Sequence, residues 1–191
     1  MSTSSPIDSR RTRLRAQTGS VTPTTRSPGQ YPATLITAGP VPGTDLLLPK
    51  ELLERVLPQF LGLGVYLHPT HCYGQDDGRL ERVGCLEEVR YGEERIEATL
   101  RLCAVPAAQW IKSLIERQTL ASAPEQALEQ APEQALVQAG YRFTIWLEFA
   151  VLDAVESDEN GLRAIRRILD VRRTLMSVHH SGRGPVTADG D

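Results

Sequence analysis

His68 is the residue whose type and setting first suggest chemistry. It follows the apolar run Val65-Tyr66-Leu67 and precedes Pro69, which ends the predicted strand. Because a histidine titrates near neutral pH, one that is held at a strand end beside a strand pair is suited to act as a general base. The same arrangement also builds an ordinary loop, in which the imidazole bonds to the backbone. The residues themselves leave both interpretations open.

A second group of side chains raises the question of a metal site. His71 and Cys72 lie close to His68, and His179 is followed by His180. The spacing His-x-x-His-Cys is not that of a standard structural zinc site, and adjacent histidines in a tail are usually solvated. We therefore expect no metal and no cofactor.

The composition is that of a soluble globular domain with tails. The chain has 191 residues, of which 40% are hydrophobic and 24% charged, and its net charge of -3 gives no general attraction to nucleic acid. Its three cysteines, Cys72, Cys85 and Cys103, are odd in number and widely spaced, which argues against a disulfide framework. No apolar run approaches the roughly 20 residues that span a bilayer. We expect a cytoplasmic protein.

Residues 1–32 predict a disordered basic tail, because they are rich in Ser, Thr, Pro and Gly and lack apolar periodicity. Asp8 is the single acid of this stretch. The arginines that outweigh it are Arg10, Arg11, Arg13, Arg15 and Arg26. Such a segment is typical either of a solvated tail or of one that contacts nucleic acid or an acidic partner.

Hydrophobic periodicity in the rest of the chain predicts a mixed fold. Strands are predicted over 33–38, 65–67, 79–91, 95–103 and 141–151, and helices over 49–60 and 106–120. Residues 121–139 contain the tandem repeat Ala-Pro-Glu-Gln-Ala-Leu and predict a low-complexity surface insertion, whereas 162–178 fits a helix and a strand almost equally. The expected class is α+β: a mainly antiparallel, barrel-like sheet with flanking helices.

The order of these parts resembles the prohead (capsid maturation) proteases of tailed bacteriophages, which share the herpesvirus assemblin fold. The residues that carry the resemblance are Leu67-His68-Pro69-Thr70, Arg82-Val83-Gly84, Ile96 to Leu102, Met176-Ser177-Val178 and Gly184-Pro185. It covers residues 33–185, which leaves 186–191 as a tail.

The resemblance implies a peptidase of the serine type that trims scaffold and capsid proteins. His68 stands where the family has its histidine. The family's serine follows a glycine at the start of the strand 141–151, where this chain has Arg142. Thr144 is the hydroxyl candidate on that strand, and His179 is the candidate third residue that would orient His68. Backbone N–H groups or an arginine such as Arg183 would form the oxyanion hole.

Three functions follow as alternatives. The first is a divergent prohead protease of a phage or prophage, which hydrolyses peptide bonds during capsid maturation in the host cytoplasm or within the prohead. The second is a catalytically inactive capsid-assembly or scaffolding component of the same fold, which the missing serine favours, and the third is an unrelated small binding domain. The first two imply a scaffold or major capsid protein as partner and a tendency to homo-oligomerise, with no role for a membrane or nucleic acid. The basic run 163–173 is either a solvated face or a contact for a capsid partner or DNA.

Overall fold

The structure is a computed structural model that describes residues 9–24, 27–68, 80–121, 140–154 and 156–180. Its strands are β1 (Ser9–Val21), β2 (Gln30–Thr37), β3 (Gly39–Pro40), β4 (Leu46–Leu48), β5 (Gly64–Leu67), β6 (Arg82–Gly92), β7 (Arg95–Leu102), β8 (Tyr141–Ala154) and β9 (Arg163–His180). Its helices are α1 (Lys50–Val56), which a 3-10 turn (Leu57–Gln59) extends, and α2 (Pro106–Ala121). Within this part of the chain, neither helix is long and apolar enough to cross a membrane.

Seven of the strands close into a barrel in the order β9-β5-β6-β7-β2-β1-β8, and the pairing of β8 with β9 completes the circle. Neighbours in the barrel are antiparallel except β5 and β9, which run parallel. Strands β3 and β4 extend the sheet beside β9. The predicted α+β class, a mainly antiparallel barrel-like sheet with flanking helices, is confirmed.

The barrel interior is aliphatic with a few aromatic rings, as the low aromatic content of 5% predicts. Leu35, Leu86, Ile96 and Leu100 are fully buried in it. Gly84 on β6 lies so close to β7 that a Cβ atom there would be 2.5 Å from the carbonyl oxygen of Arg101. A glycine inside a strand permits this close approach of two backbones, which any side chain would prevent.

The predicted disordered tail is wrong for residues 9–21, which form β1. This strand pairs with β8 from Ser9 opposite Ala154 to Val21 opposite Phe143. Its exposed arginines alternate with residues that face the barrel, but most of the inward positions are small or polar. Hydrophobic alternation is therefore weak in the sequence, and pairing with the long β8 supplies the backbone hydrogen bonds that order the segment. Residues 1–8, the insertion after Ala121 and the tail after His180 lie outside the described residues.

The segment 162–178, whose sequence fits a helix and a strand almost equally, forms strand β9 from Arg163 onward. Its inward residues recur at every third position. They are Ile165, Ile168, Val171 and Thr174. Thr174 lies opposite Leu147, and Ile165 lies opposite Asp153. The segment between these pairs is nine residues long on β9 and six on β8, and three register shifts account for the three extra residues. Such β-bulges let a sequence with a nearly helical period form a strand.

A buried ion pair joins these two strands near one end of the barrel. The Asp153 side chain is fully buried and bonds to the Arg163 guanidinium, whose own exposure is 9%. Arg163 also forms a bidentate pair with Asp45, with N–O distances of 2.9 Å. Thr12 on β1 donates to Asp153 at 2.9 Å. The cluster therefore connects β1, β8 and β9 to the segment that leads into β4.

Candidate functional site

The candidate site lies on the outer face of the barrel, where β8, β9 and β5 are neighbours. Thr144 on β8 is directly opposite Ser177 on β9, so the two side chains share one face at close range. His179 lies two positions beyond Ser177 on the same strand and therefore points the same way. Just past the end of β5, the backbone N–H of His68 donates to the carbonyl of Met176 at 2.8 Å, which fixes this histidine beside β9.

A chain of hydrogen bonds connects the hydroxyl groups to an imidazole. Thr144 Oγ1 is 2.5 Å from Ser177 Oγ, and Ser177 Oγ is 3.0 Å from His179 Nε2. The indole N–H of Trp146 donates to Ser177 Oγ at 3.0 Å. His68 contacts the cluster through Trp146, and the centroids of the two rings are 5.2 Å apart. The structure thus gathers both candidate histidines and the candidate hydroxyl into one cluster.

Ser177 has a single hydroxyl proton, which limits the directions that the hydrogen bonds of this cluster can take. A serine hydroxyl donates one hydrogen bond and accepts two. If Ser177 donates to His179, then Trp146 and Thr144 are the two donors to its oxygen, and all three bonds are satisfied. The Thr144 oxygen then keeps its lone pairs for another partner, whereas those of Ser177 are both used. In this polarisation Ser177 connects the Thr144 hydroxyl to the ring nitrogen of His179.

Burial is the second property of the site. Thr144 is 2% exposed and Ser177 1% exposed, whereas His68, Trp146 and His179 are each partly exposed. In this arrangement the imidazoles are reachable from solvent and the hydroxyl oxygens are not. A substrate carbonyl can approach Thr144 only after a local rearrangement.

The arginine that stands in place of a serine in the sequence resemblance does not enter the cluster of hydroxyls. Arg142 is exposed and lies opposite His179 in the strand pairing. Ser177 and Trp146 are the members of the cluster that sequence reasoning did not single out. The available signal was the spacing of Ser177 and His179, since residues two apart in a strand share a face. Arg183 lies outside the described residues.

The described ranges contain no group of three His, Cys, Asp or Glu side chains that could hold a metal ion. His71 and Cys72, on which the zinc alternative depended, fall in residues 69–79, outside those ranges. The side chains that meet in the cluster are two hydroxyls, an indole and two imidazoles.

Comparison with protein-family models and with curated proteins finds no match to this sequence. Among solved structures, the bacteriophage T4 capsid assembly protease, gp21, is similar, with a TM-score of 0.47 and 14% sequence identity. The match covers 86% of this chain and 97% of that chain.

Proposed function

We propose that this protein is a peptidase of the prohead-protease type that hydrolyses peptide bonds during capsid maturation. The observation that carries the proposal is the chain Thr144–Ser177–His179, in which a hydroxyl is connected to an imidazole at 2.5 and 3.0 Å. A hydroxyl nucleophile needs a base within hydrogen-bond reach, directly or through one relay. The resemblance of the sequence to that family supplies the substrate class, namely scaffold or major capsid proteins.

In the proposed reaction Thr144 Oγ1 attacks the scissile carbonyl carbon. Its proton passes to Ser177 Oγ, while the proton of Ser177 passes to Nε2 of His179. The resulting imidazolium then protonates the amine that leaves, and water hydrolyses the ester on Thr144 by the reverse route. We assign the orienting role to His68, which holds Trp146 and, through the indole N–H, Ser177. The two histidines thereby exchange the roles that the resemblance implied.

The burial of both hydroxyls favours a second candidate, a catalytically inactive capsid-assembly component of the same fold. In that case the cluster is a structural hydrogen-bond network that joins β8 to β9. The two candidates differ in one respect that can be measured, because only the first requires Thr144 to react.

The test is co-expression with a candidate capsid or scaffold protein, followed by mass spectrometry of the products, including fragments of the chain itself. We expect cleavage by the wild type and a loss of at least about 100-fold in Thr144→Val and His179→Gln, which remove the nucleophile and the base. The matched control is Thr174→Val, because Thr174 is also a buried hydroxyl on this sheet but faces the interior, and its oxygen has no hydrogen-bond partner in the described part of the chain.

Two results would decide against the assignment. Normal cleavage by Thr144→Val would exclude Thr144 as the nucleophile. Absence of cleavage by the wild type, with every capsid and scaffold candidate, would exclude the peptidase function.

A further inference from the structure

Two arginine runs that are distant in the sequence meet on the outer surface of the barrel. One lies on β1 and the other on β9, and β8 pairs with both strands. We call this surface the arginine face. Its cations are Arg11, Arg13, Arg15, Arg166, Arg167, Arg172 and Arg173, all of them exposed.

The strand register places these side chains in rows across three strands. Residues directly opposite in antiparallel strands share a face of the sheet. From one end to the other the rows are Arg15–Glu148–Arg173, Arg13–Ala150–Asp170 and Arg11–Leu152–Arg167. Arg166 and Arg172 are exposed as well, because the buried residues Ile165 and Val171 are each followed by two exposed arginines in the bulged part of β9.

The positive charge of the arginine face is not balanced within the described residues. Glu148 bonds to Arg15 and lies 3.9 Å from Arg173, and Asp170 accepts from Arg172 at 2.9 Å. In this part of the chain no ion pair is formed by Arg11, Arg13, Arg166 or Arg167. Like charges in neighbouring strands destabilise a sheet. A cluster of unpaired guanidinium groups is therefore better explained by an anionic partner than by stability of the fold.

A cavity of about 450 Å³ opens beside the arginine face, between α1 and β9. Arg55, Arg166 and Arg167 line it together with the apolar side chains of Leu52, Val56 and Ile168. Its remaining wall is Gln59, whose side-chain oxygen accepts the backbone N–H of Val171 at 3.0 Å. The cavity thus combines cations with an apolar floor, which suits a side chain that has a carboxylate at the end of an aliphatic stem.

We propose that the arginine face and this cavity bind an acidic protein segment in extended conformation. Arg11, Arg13 and Arg15 recur at about 6.8 Å, which is also the spacing of alternate side chains in an extended peptide. The guanidinium fork binds carboxylates in a bidentate manner. A peptide with acidic residues at alternate positions can therefore match several arginines of one row at once.

Two features favour a peptide over nucleic acid. Glu148 and Asp170 lie within the face, where they would repel a continuous phosphate backbone but leave room for separate carboxylates. From Glu148 to Leu152 the outward positions of β8 carry no aromatic ring on which bases could stack, and the next outward residue, Trp146, lies against His68. The net charge of -3 for the whole chain also gives no long-range attraction for a polyanion.

The arginine face leads along β8 toward the hydroxyl cluster. Thr144, Trp146 and Glu148 are successive outward positions of that strand, so a segment bound on the face is directed at the candidate site. The binding proposal does not rest on the peptidase proposal. Binding is measured without turnover, and it should persist in Thr144→Val.

The test is fluorescence anisotropy of a labelled peptide of about ten residues with alternating Glu and Ser, at about 50 mM and about 300 mM salt. We expect saturable binding that weakens with salt, and a rise in Kd of at least about tenfold in Arg13→Gln/Arg167→Gln. The control is Arg117→Gln, which removes one positive charge from an exposed position on α2 and should leave Kd within about twofold. Melting curves verify that each variant is folded.

Three outcomes would overturn the proposal. The first is equal binding of a peptide with Gln in place of Glu. The second is an unchanged Kd in the double variant. The third is displacement of the peptide by a DNA oligonucleotide that binds more tightly at the same salt concentration, which would make the face a nucleic-acid surface.

Discussion

Arg163→Met is the substitution for which the structure predicts the largest loss of stability. The Asp153 carboxylate is fully buried beside this guanidinium, and Met keeps much of the volume while removing the charge. Removal of one partner of a buried ion pair leaves an uncompensated charge and costs about 3–5 kcal/mol. For a chain of this length that corresponds to a decrease in Tm of about 6–20 °C.

The assay is equilibrium unfolding in urea, with a thermal melt as a second measurement. Arg166→Met is the matched control, because Arg166 lies on the same strand, is exposed and forms no ion pair in the described residues, so we expect a change within about 0.5 kcal/mol. Asp153→Asn/Arg163→Met should recover much of the loss, since it removes both charges and keeps an oxygen that accepts the Thr12 hydrogen bond. A cost below about 1 kcal/mol for Arg163→Met, or no recovery in the double variant, would refute the reasoning.

Three further predictions concern the acid, the close backbone contact and the hydroxyl cluster. The hydrogen bond from Arg163 lowers the pKa of Asp45 below its ordinary value of 3.8, so the stability it contributes is present above that pH and is lost as the pH falls through the folded-state pKa; in Asp45→Asn, melting between about pH 4 and 2 should be less pH-dependent. Gly84→Ala should destabilise by about 1–3 kcal/mol in urea unfolding, because its Cβ would overlap a carbonyl oxygen of β7. Ser177→Ala should cost about 1–3 kcal/mol and change Trp146 fluorescence, since it leaves the buried Thr144 hydroxyl and the indole N–H without their shared partner.

Each of these three predictions can be contradicted by a specific outcome. An unchanged acid profile for Asp45→Asn would mean that its ion pair does not persist in solution. The control for Gly84 is Gly92→Ala, where a Cβ would meet nothing within 4 Å, and equal costs at the two positions would contradict the close approach. A Ser177→Ala protein as stable as the wild type would show that the hydroxyl cluster is solvated.

The general form of the fold could be predicted because most of its strands have one apolar face. The clean alternation of β7 and β8 predicts half-buried strands, and Pro106 together with the periodicity after it predicts α2. The failures have physical causes. Strand β1 owes its order to pairing with β8 and not to its own hydrophobicity, and β9 has a period of three because of bulges that only the partner strand can define.

The sequence alone predicts His68, Thr144 and His179 as candidate catalytic residues, from their type, their position and the resemblance to a known family. The tertiary structure alone decided how they are connected, because Ser177 enters the site through the register of β8 against β9, and register is a property of two strands together. The same register brings the arginines of β1 and β9 onto one surface. Neither the hydrogen-bond chain from Thr144 through Ser177 to His179 nor the arginine face can be read along the sequence, since both join residues on strands that meet only when the barrel closes.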